Sequence, residues 1–273
     1  MTSSMFPISL IVITYNEAAN IARCLDSVGF AAEKIVVDCG SDDDTRTIAA
    51  AHGARVVEQS WLGFGAQRNF ASGLASHDWI LSLDADEALT PELTRCLEQG
   101  LPQLLASNAA AGVLFRTGWF MGRPLRWYRL MVRERKPRIY HRARARWSEA
   151  RVHESLQYRG AEVSFEPPFM HYLNPTLVHH QLKYLRYAEL KALDWRERGR
   201  ASRVYEWPFV FILTFLKDYV LRLAMLDGAR GWVAAYMAAD YALYKRMRYY
   251  EMRCFERSVE LAAAELRAHN LQR

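Results

Sequence analysis

Asp84 and Asp86 stand one residue apart at the end of an apolar run of strand type, Ile80-Leu81-Ser82-Leu83. A carboxylate at the end of a buried strand is costly to desolvate, and a close pair repels itself. A divalent cation bridging to a polyphosphate relieves both penalties. Mg²⁺ and Mn²⁺ take hard oxygen ligands and are commonly held by one or two carboxylates plus substrate phosphates. The plainer alternative is a strand followed by a helix cap, since Asp86-Glu87 precede Thr90-Pro91-Glu92. A second acidic cluster, Asp38-Cys39-Gly40-Ser41-Asp42-Asp43-Asp44-Thr45, follows the apolar run Lys34-Ile35-Val36-Val37. Asp38 can accept hydrogen bonds from a ribose or a base edge, and Gly40 permits a tight turn with exposed backbone N–H groups. Because Asp and Ser dominate turns in general, this segment also reads as a plain capped turn.

The elements that must position these residues alternate. Ile8–Ile13, Lys34–Val37, Arg55–Val57 and Trp79–Leu83 have strand length and composition, and Val113–Phe115 adds a further strand. Between them, Asn16 predicts the N-cap of a helix through Val28, and further helices are expected at Thr47–Ala51, Gln67–Ala75 and from Pro91 through Leu101. Gly63-Phe64-Gly65 lacks a third glycine at dinucleotide spacing and reads as a loop. Such alternation argues for a parallel α/β sheet, in which ligands bind beyond the carboxyl ends of the strands. Asn16, Asp38 and Asp84 all fall at those ends. From Thr176 onward the pattern turns helical, which predicts an α/β domain over 1–175 and a helical extension over 176–273. The apolar stripe Trp207–Leu226, with Phe211, Phe215, Val220 and Leu223 near one helical face, is by default packed core. Its flanking Arg222, Arg230, Lys245, Arg246 and Arg248, with Tyr236, Tyr241 and Tyr244, also permit a membrane-interfacial role.

Composition bounds the partners. The 273 residues are 51% hydrophobic and 24% charged, enough for a sizeable core, and the net charge of +6 favours an anionic partner. Residues 123–151 hold eleven lysines and arginines against two glutamates, a net of +9, which leaves about −3 for the rest. Interleaved Trp119, Phe120, Trp127, Tyr128, Tyr140 and Trp147 suit stacking on sugar rings or bases. No recognisable nucleic-acid-binding fold accompanies them, so no nucleic acid is expected, and the stretch reads as a platform for a phosphorylated saccharide acceptor, with a plain solvated surface as the alternative. The four cysteines are scattered without CxxC spacing, which suggests neither zinc nor disulfides. No leader is evident after Met1, and no run reaches the ~18 apolar residues of a membrane span.

Taken together, Ile11-Val12-Ile13-Thr14-Tyr15-Asn16-Glu17, Val36-Val37-Asp38 through Thr45, Gln67-Arg68-Asn69 and Leu83-Asp84-Ala85-Asp86 resemble family 2 glycosyltransferases over residues 7–175. The resemblance implies the GT-A fold, an α/β Rossmann-like, mostly parallel sheet flanked by helices. It also implies a nucleotide-sugar donor, Mg²⁺ or Mn²⁺, and inversion at the anomeric carbon. Val152-His153-Glu154-Ser155-Leu156, His171-Tyr172, Lys183-Tyr184 and Leu226-Asp227-Gly228-Ala229-Arg230-Gly231 resemble the lipopolysaccharide inner-core β-glucosyltransferases. By that resemblance the donor is a UDP-sugar, UDP-glucose first, and the acceptor an anionic glycolipid heptose. The chain would be cytoplasmic, peripheral on the inner face of the cytoplasmic membrane. A polyprenyl-phosphate or capsule saccharide acceptor is the alternative. A non-catalytic nucleotide- or nucleic-acid-binding role is a further one, against which Asp84 and Asp86 speak.

Carried over residue by residue, the resemblance implies that Thr14, Tyr15 and Glu17 line the nucleobase and ribose pocket. Asp38 contacts uracil or ribose, with Ser41 and Asp43 in the same loop, and Arg68 and Asn69 lie near ribose and diphosphate. Asp84 faces the donor, while Asp86 binds the metal and His171 supplies a further ligand or a diphosphate contact. Cys39 stands where the family usually has a second Asp. An inverting transfer needs one base, and no downstream acidic dyad offers it. Glu154 is the candidate, with Glu149 and Glu134 as rivals. His153 and His171 also read as ordinary hydrogen-bonded histidines.

Overall fold

The computed structural model describes residues 5–128, 134–148, 155–172, 176–199, 203–255, 260, 261 and 264. The chain forms two compact units, one of Met1–Thr117 with Glu134–Tyr172, the other of Gly118–Arg133 with Leu173–Gln272. In chain order the elements are β1 (Phe6–Thr14), α1 (Ile21–Asp26), β2 (Ala31–Asp38), α2 (Thr45–Ala51), β3 (Arg55–Glu58), α3 (Phe64–Gly73), β4 (Trp79–Asp84), β5 (Glu87–Leu89) and α4 (Pro91–Ala106). Then come β6 (Ala111–Phe120), β7 (Arg123–Pro124), β8 (Glu134–His141), β9 (Ala145–Trp147), β10 (Leu156–Tyr158), β11 (Glu162–His171), α5 (Leu177–Glu197), α6 (Trp207–Leu216) and α7 (Ala229–Cys254).

The main sheet runs β3-β2-β1-β4-β8-β6-β11-β5. Its first four strands are parallel, and β8 and β6 continue it antiparallel, as does the β11–β5 pair at its other end. The fold is α/β with a mixed sheet, and the continuous apolar runs of β1, β2 and β4 form its parallel part. The physical reason is burial on both faces. Leu10, Val12, Leu81 and Leu83 pack with Leu25 of α1 and with Leu93 and Leu97 of α4. Ile11, Ile35 and Ile80 pack on the other face with Ala71 of α3, Tyr140 and Trp147. Register aligns the strand ends: Asp38 pairs with Thr14, and Asp84 with Ile13.

Two local expectations are corrected. Asn16 does not cap a helix. It adopts φ +53°, in the left-handed region that asparagine tolerates, and the helix begins only at Ile21. Its Oδ1 instead accepts from the Asp42 N–H at 3.0 Å. Gly63-Phe64-Gly65 is not a loop but the start of α3, with Gly63 at φ +100° ahead of the first turn. Before α4, Thr90 does cap the helix, accepting from the Leu93 N–H at 3.2 Å with Pro91 in the first turn.

In the second unit α5 and α7 enclose a small core of Ala192, Trp195, Tyr249 and Met252. The stripe Trp207–Leu226 is not packed core. It breaks after α6 into a π-type turn, Lys217–Leu221, and a 3₁₀ turn, Ala224–Asp227, and α6 has no buried residue. Its ring contacts run to α7, Phe211–Tyr236, Phe215–Trp232 and Trp207–Tyr250, and to the following turn, Phe215–Tyr219, while Phe209, Ile212, Leu213 and Leu216 are exposed. Leu226–Gly231 builds the joint into α7. Asp227 accepts the backbone N–H groups of Arg126, Trp127 and Tyr128 at 2.9, 3.0 and 2.6 Å. A Cβ on Gly231 would lie 1.7 Å from the Ala224 carbonyl oxygen.

Candidate active site

The loops after β1 and β2 are stitched together by short polar side chains. Asp38 is fully buried and accepts from the Gly40 N–H at 3.2 Å, the Ser41 N–H at 2.9 Å and the Ser41 hydroxyl at 2.5 Å. Ser41 Oγ in turn accepts from the Asn16 N–H at 2.9 Å. Thr45 Oγ1 accepts from the Glu17 N–H at 2.8 Å, and Asp43 Oδ2 from the Ala18 N–H at 3.1 Å. Asp43 Oδ1 accepts from both the hydroxyl and the N–H of Thr45. Desolvation would raise the exposed Asp43 carboxyl, but these hydrogen bonds outweigh it and hold the group below its ordinary range. The Cys39 thiol donates to the Thr14 carbonyl at 3.1 Å, inside the same loop pair. Thr14 Oγ1 is buried with no hydrogen-bond partner among the described residues, and Tyr15 and Glu17 are half-buried beside it. Thus Asp38, Ser41, Asp43 and Thr45 tie together the loops after β1 and β2, and Thr14, Tyr15 and Glu17 lie at the end of β1 and just beyond it.

Asp84 lies at the end of β4, about a quarter exposed, between two buried guanidinium groups. Arg68 of α3 reaches Oδ1 at 2.5 Å, and Arg138 of β8 reaches Oδ2 at 2.9 Å. Arg138 also donates to Glu87, whose other oxygen accepts the Asp84 N–H at 3.0 Å. Burial alone would raise the Asp84 carboxyl, but the Arg138 and Arg68 charges hold it well below the usual carboxylate range. For Glu87 burial wins: the carboxyl sits above its ordinary value despite Arg138, with the Asp84 charge adding to the rise. Asn69 pairs with the Trp147 backbone in both directions, at 2.9 and 3.0 Å, and Trp147 underlies the Arg68 guanidinium at 4.7 Å. Asn69 therefore fixes the wall on which Arg68 rests.

Asp86 and His171 come together although 85 positions separate them. Antiparallel pairing sets His171 of β11 opposite Glu87 of β5, and the Tyr172 N–H donates to the Asp86 carbonyl at 2.8 Å. His171 Nε2 then lies 3.1 Å from Asp86 Oδ2. A carboxylate oxygen and an imidazole nitrogen at this separation fit a divalent cation. No group of three or more His, Cys, Asp or Glu that could hold one occurs among the described residues. Such a site needs its remaining ligands from a substrate polyphosphate or water.

Glu154, Glu149 and His153 lie outside the described residues. Glu134 is described. Against partial burial, Lys136 and Arg116 pull its carboxyl down to about 2, so it has little affinity for a proton. The basic stretch is not one open platform. Arg138 is buried, and Arg135, Lys136 and Arg142 pair with Glu162, Glu134 and Asp78. Arg138 and Glu87 were not singled out by sequence. The signal for Arg138 was its place beside Ile139 and Tyr140 in an apolar strand, where a free charge is untenable.

The sequence profile described as Glycosyl transferase family 2 matches residues 9–159. A lipopolysaccharide core biosynthesis glycosyltransferase, LpsC, from Rhizobium meliloti is 28% identical over 260 residues, 90% of this chain and 92% of that protein. An uncharacterized glycosyltransferase from Rickettsia felis is 51% identical over 90 residues, covering 33% of this chain and 32% of its own length. Among solved structures, glucosyl-3-phosphoglycerate synthase from Mycobacterium tuberculosis, in complex with Mn²⁺, UDP and phosphoglyceric acid, is 28% identical. It covers 42% of this chain and 43% of that one, with a TM-score of 0.33. The protein belongs to glycosyl transferase family 2.

Proposed function

We propose that this glycosyltransferase moves a hexose, glucose from UDP-glucose, onto a heptose of the lipopolysaccharide inner core with inversion. The observation that carries the donor half is the Asp86–His171 pair, set beside the Arg-clamped Asp84 at the carboxyl ends of the parallel strands. The similarity to LpsC over nearly the whole of both chains supports the acceptor half.

Thr14, Tyr15 and Glu17 take the nucleoside, within loops that Asp38, Ser41 and Asp43 hold in shape. Asp84 keeps a fixed negative charge and accepts hydroxyl hydrogen bonds from the donor, and Arg68 adds positive charge nearby. Asp86 and His171 would hold a divalent cation, which neutralises charge developing on the leaving diphosphate. With one imidazole in the set, Mn²⁺ suits the site better than Mg²⁺. Glu154 takes the proton of the acceptor hydroxyl as that oxygen bonds to the anomeric carbon, opposite the departing diphosphate. The acceptor is a glycolipid, so the enzyme works as a peripheral protein at the inner face of the cytoplasmic membrane.

The test is UDP release from UDP-glucose on truncated lipopolysaccharide, with Mn²⁺ and with EDTA. Turnover stops with EDTA, and Asp86→Asn lowers kcat on the order of 10²-fold. Glu154→Gln abolishes transfer while UDP-glucose still binds. Undiminished turnover in EDTA, or by Asp86→Asn, would sink the metal-site reading, and turnover by Glu154→Gln would remove Glu154 as the base.

A further inference from the structure

Among the described residues, the most apolar α-helix has no buried residue. α6 reads Trp-Pro-Phe-Val-Phe-Ile-Leu-Thr-Phe-Leu, with no charged residue and none buried. Phe209 and Leu213, one turn apart, are 65% and 64% exposed, and Leu221 in the following turn is 72% exposed. Ile212, Leu216 and Val220 are exposed as well. A contiguous exposed apolar patch marks an interaction surface. At 1.5 Å per residue the ten residues of α6 span about 15 Å, half a hydrocarbon core. Among the described residues no helix is long and apolar enough to cross a membrane. An uncovered helix of this length can lie along a bilayer interface but cannot span one.

Beside it lies a cavity of about 620 Å³ within the same unit. Lys217, Arg222, Lys245 and Arg246 line it with Tyr241, and Leu213 belongs to both cavity and patch. The single acidic residue in its wall, Asp218, is buried and already accepts from Tyr128 Oη at 2.6 Å and Arg222 at 2.8 Å. The wider charge distribution agrees. The unit of Gly118–Arg133 and Leu173–Gln272 carries twenty lysines and arginines against eleven acidic residues, a net of +9. The other unit carries sixteen against nineteen, a net of −3.

We propose that this surface docks the enzyme on an anionic lipid membrane. α6 and the turn after it seat at the boundary between acyl chains and headgroups, and the basic cavity receives a lipid phosphate. Apolar insertion and electrostatic attraction to anionic lipid add in such binding. The proposal deepens the peripheral-membrane part of the functional reading and rests on it for which membrane is used. Its test needs neither donor nor acceptor.

The full chain is sedimented with phosphatidylcholine vesicles, with and without phosphatidylglycerol. It is expected to pellet with the anionic vesicles and much less with the neutral ones. Phe209→Glu with Leu213→Glu, both at solvent-facing positions, lowers the partition on the order of 10-fold or more. Lys217→Glu lowers binding to anionic vesicles alone. Both variants keep the wild-type far-UV circular dichroism, and the double variant keeps the wild-type turnover on a delipidated, soluble acceptor. Failure of wild type to pellet with anionic vesicles, equal binding to neutral ones, or wild-type partition by the double variant would each overturn the proposal. So would a concentration-dependent dimer that the double substitution abolishes while vesicles bind nothing, since a second copy would then cover the face.

Discussion

Asp84, Arg68, Arg138 and Glu87 form one buried electrostatic unit whose members cannot be changed singly. Removing Arg138 leaves Glu87 buried without its closest cation and Asp84 with half of its clamp. Breaking one partner of a buried pair costs about 3–5 kcal/mol, whereas replacing both with apolar groups is often close to neutral. Arg138→Met is expected to lower stability by about that amount in urea titration, and Arg138→Met with Glu87→Met to recover much of it. Equal loss in both variants would mean that the cost lies in packing. The pH dependence has a definite sign. Asp84 titrates well below its unfolded value, so its stabilisation is present above the ordinary carboxylate range and drains away as pH falls below it. The stability gap between wild type and Arg138→Met should therefore narrow in acid. Sequence exposed one side of this unit only. Asp84 and Arg68 stood in recognisable motifs, but Arg138 was one arginine among many, and Glu87 resembled part of a helix cap. Their pairing depends on β8 lying antiparallel beside β4, a contact across 54 positions that no local pattern encodes.

At the scale of elements, the parallel strands were legible because burial on both faces forces continuous apolar runs. Asn16 misled because its side chain serves a neighbouring loop, and the α6 stripe misled because apolar periodicity does not say what covers a face. The segment Leu226–Gly231 was legible as a motif but not as a device. Its work is to join the 3₁₀ turn to α7. Gly228 sits at φ +64°, Asp227 gathers three backbone N–H groups, and Gly231 lets α7 close on Ala224. Gly231→Ala would drive a methyl into backbone, which cannot yield as a side chain can. An overpacked site of this kind costs about 1–3 kcal/mol or more. A lowered melting temperature is expected in calorimetry, with UDP-glucose affinity kept. An unchanged melting temperature would show that the two segments separate at no cost.

For the whole molecule, the net charge of +6 conceals a division, −3 on the unit that holds the candidate active site and +9 on the helical one. The two substrates should therefore differ in their response to salt. Exposed charges separated by more than a Debye length are screened, and that length falls from about 30 Å at about 0.01 M to about 10 Å at about 0.1 M. An anionic glycolipid acceptor drawn by the positive field of the helical unit would lose that attraction over this range. The donor would not, because Asp84 is held by Arg68 and Arg138, both 4% exposed, and buried pairs are screened much less. Raising salt from about 0.01 to about 0.1 M should thus raise the KM for a phosphorylated acceptor about 3-fold or more, and the KM for UDP-glucose less than about 2-fold. The measurement is initial-rate kinetics at fixed Mn²⁺, varying each substrate in turn. Within the stretch 123–151, Arg135, Lys136 and Arg142 are paired with Glu162, Glu134 and Asp78, so substitutions at these three should leave the salt slope nearly intact. Lys217→Glu and Arg222→Gln in the helical unit should flatten it. Equal salt dependence for donor and acceptor would assign the field to the nucleotide site instead.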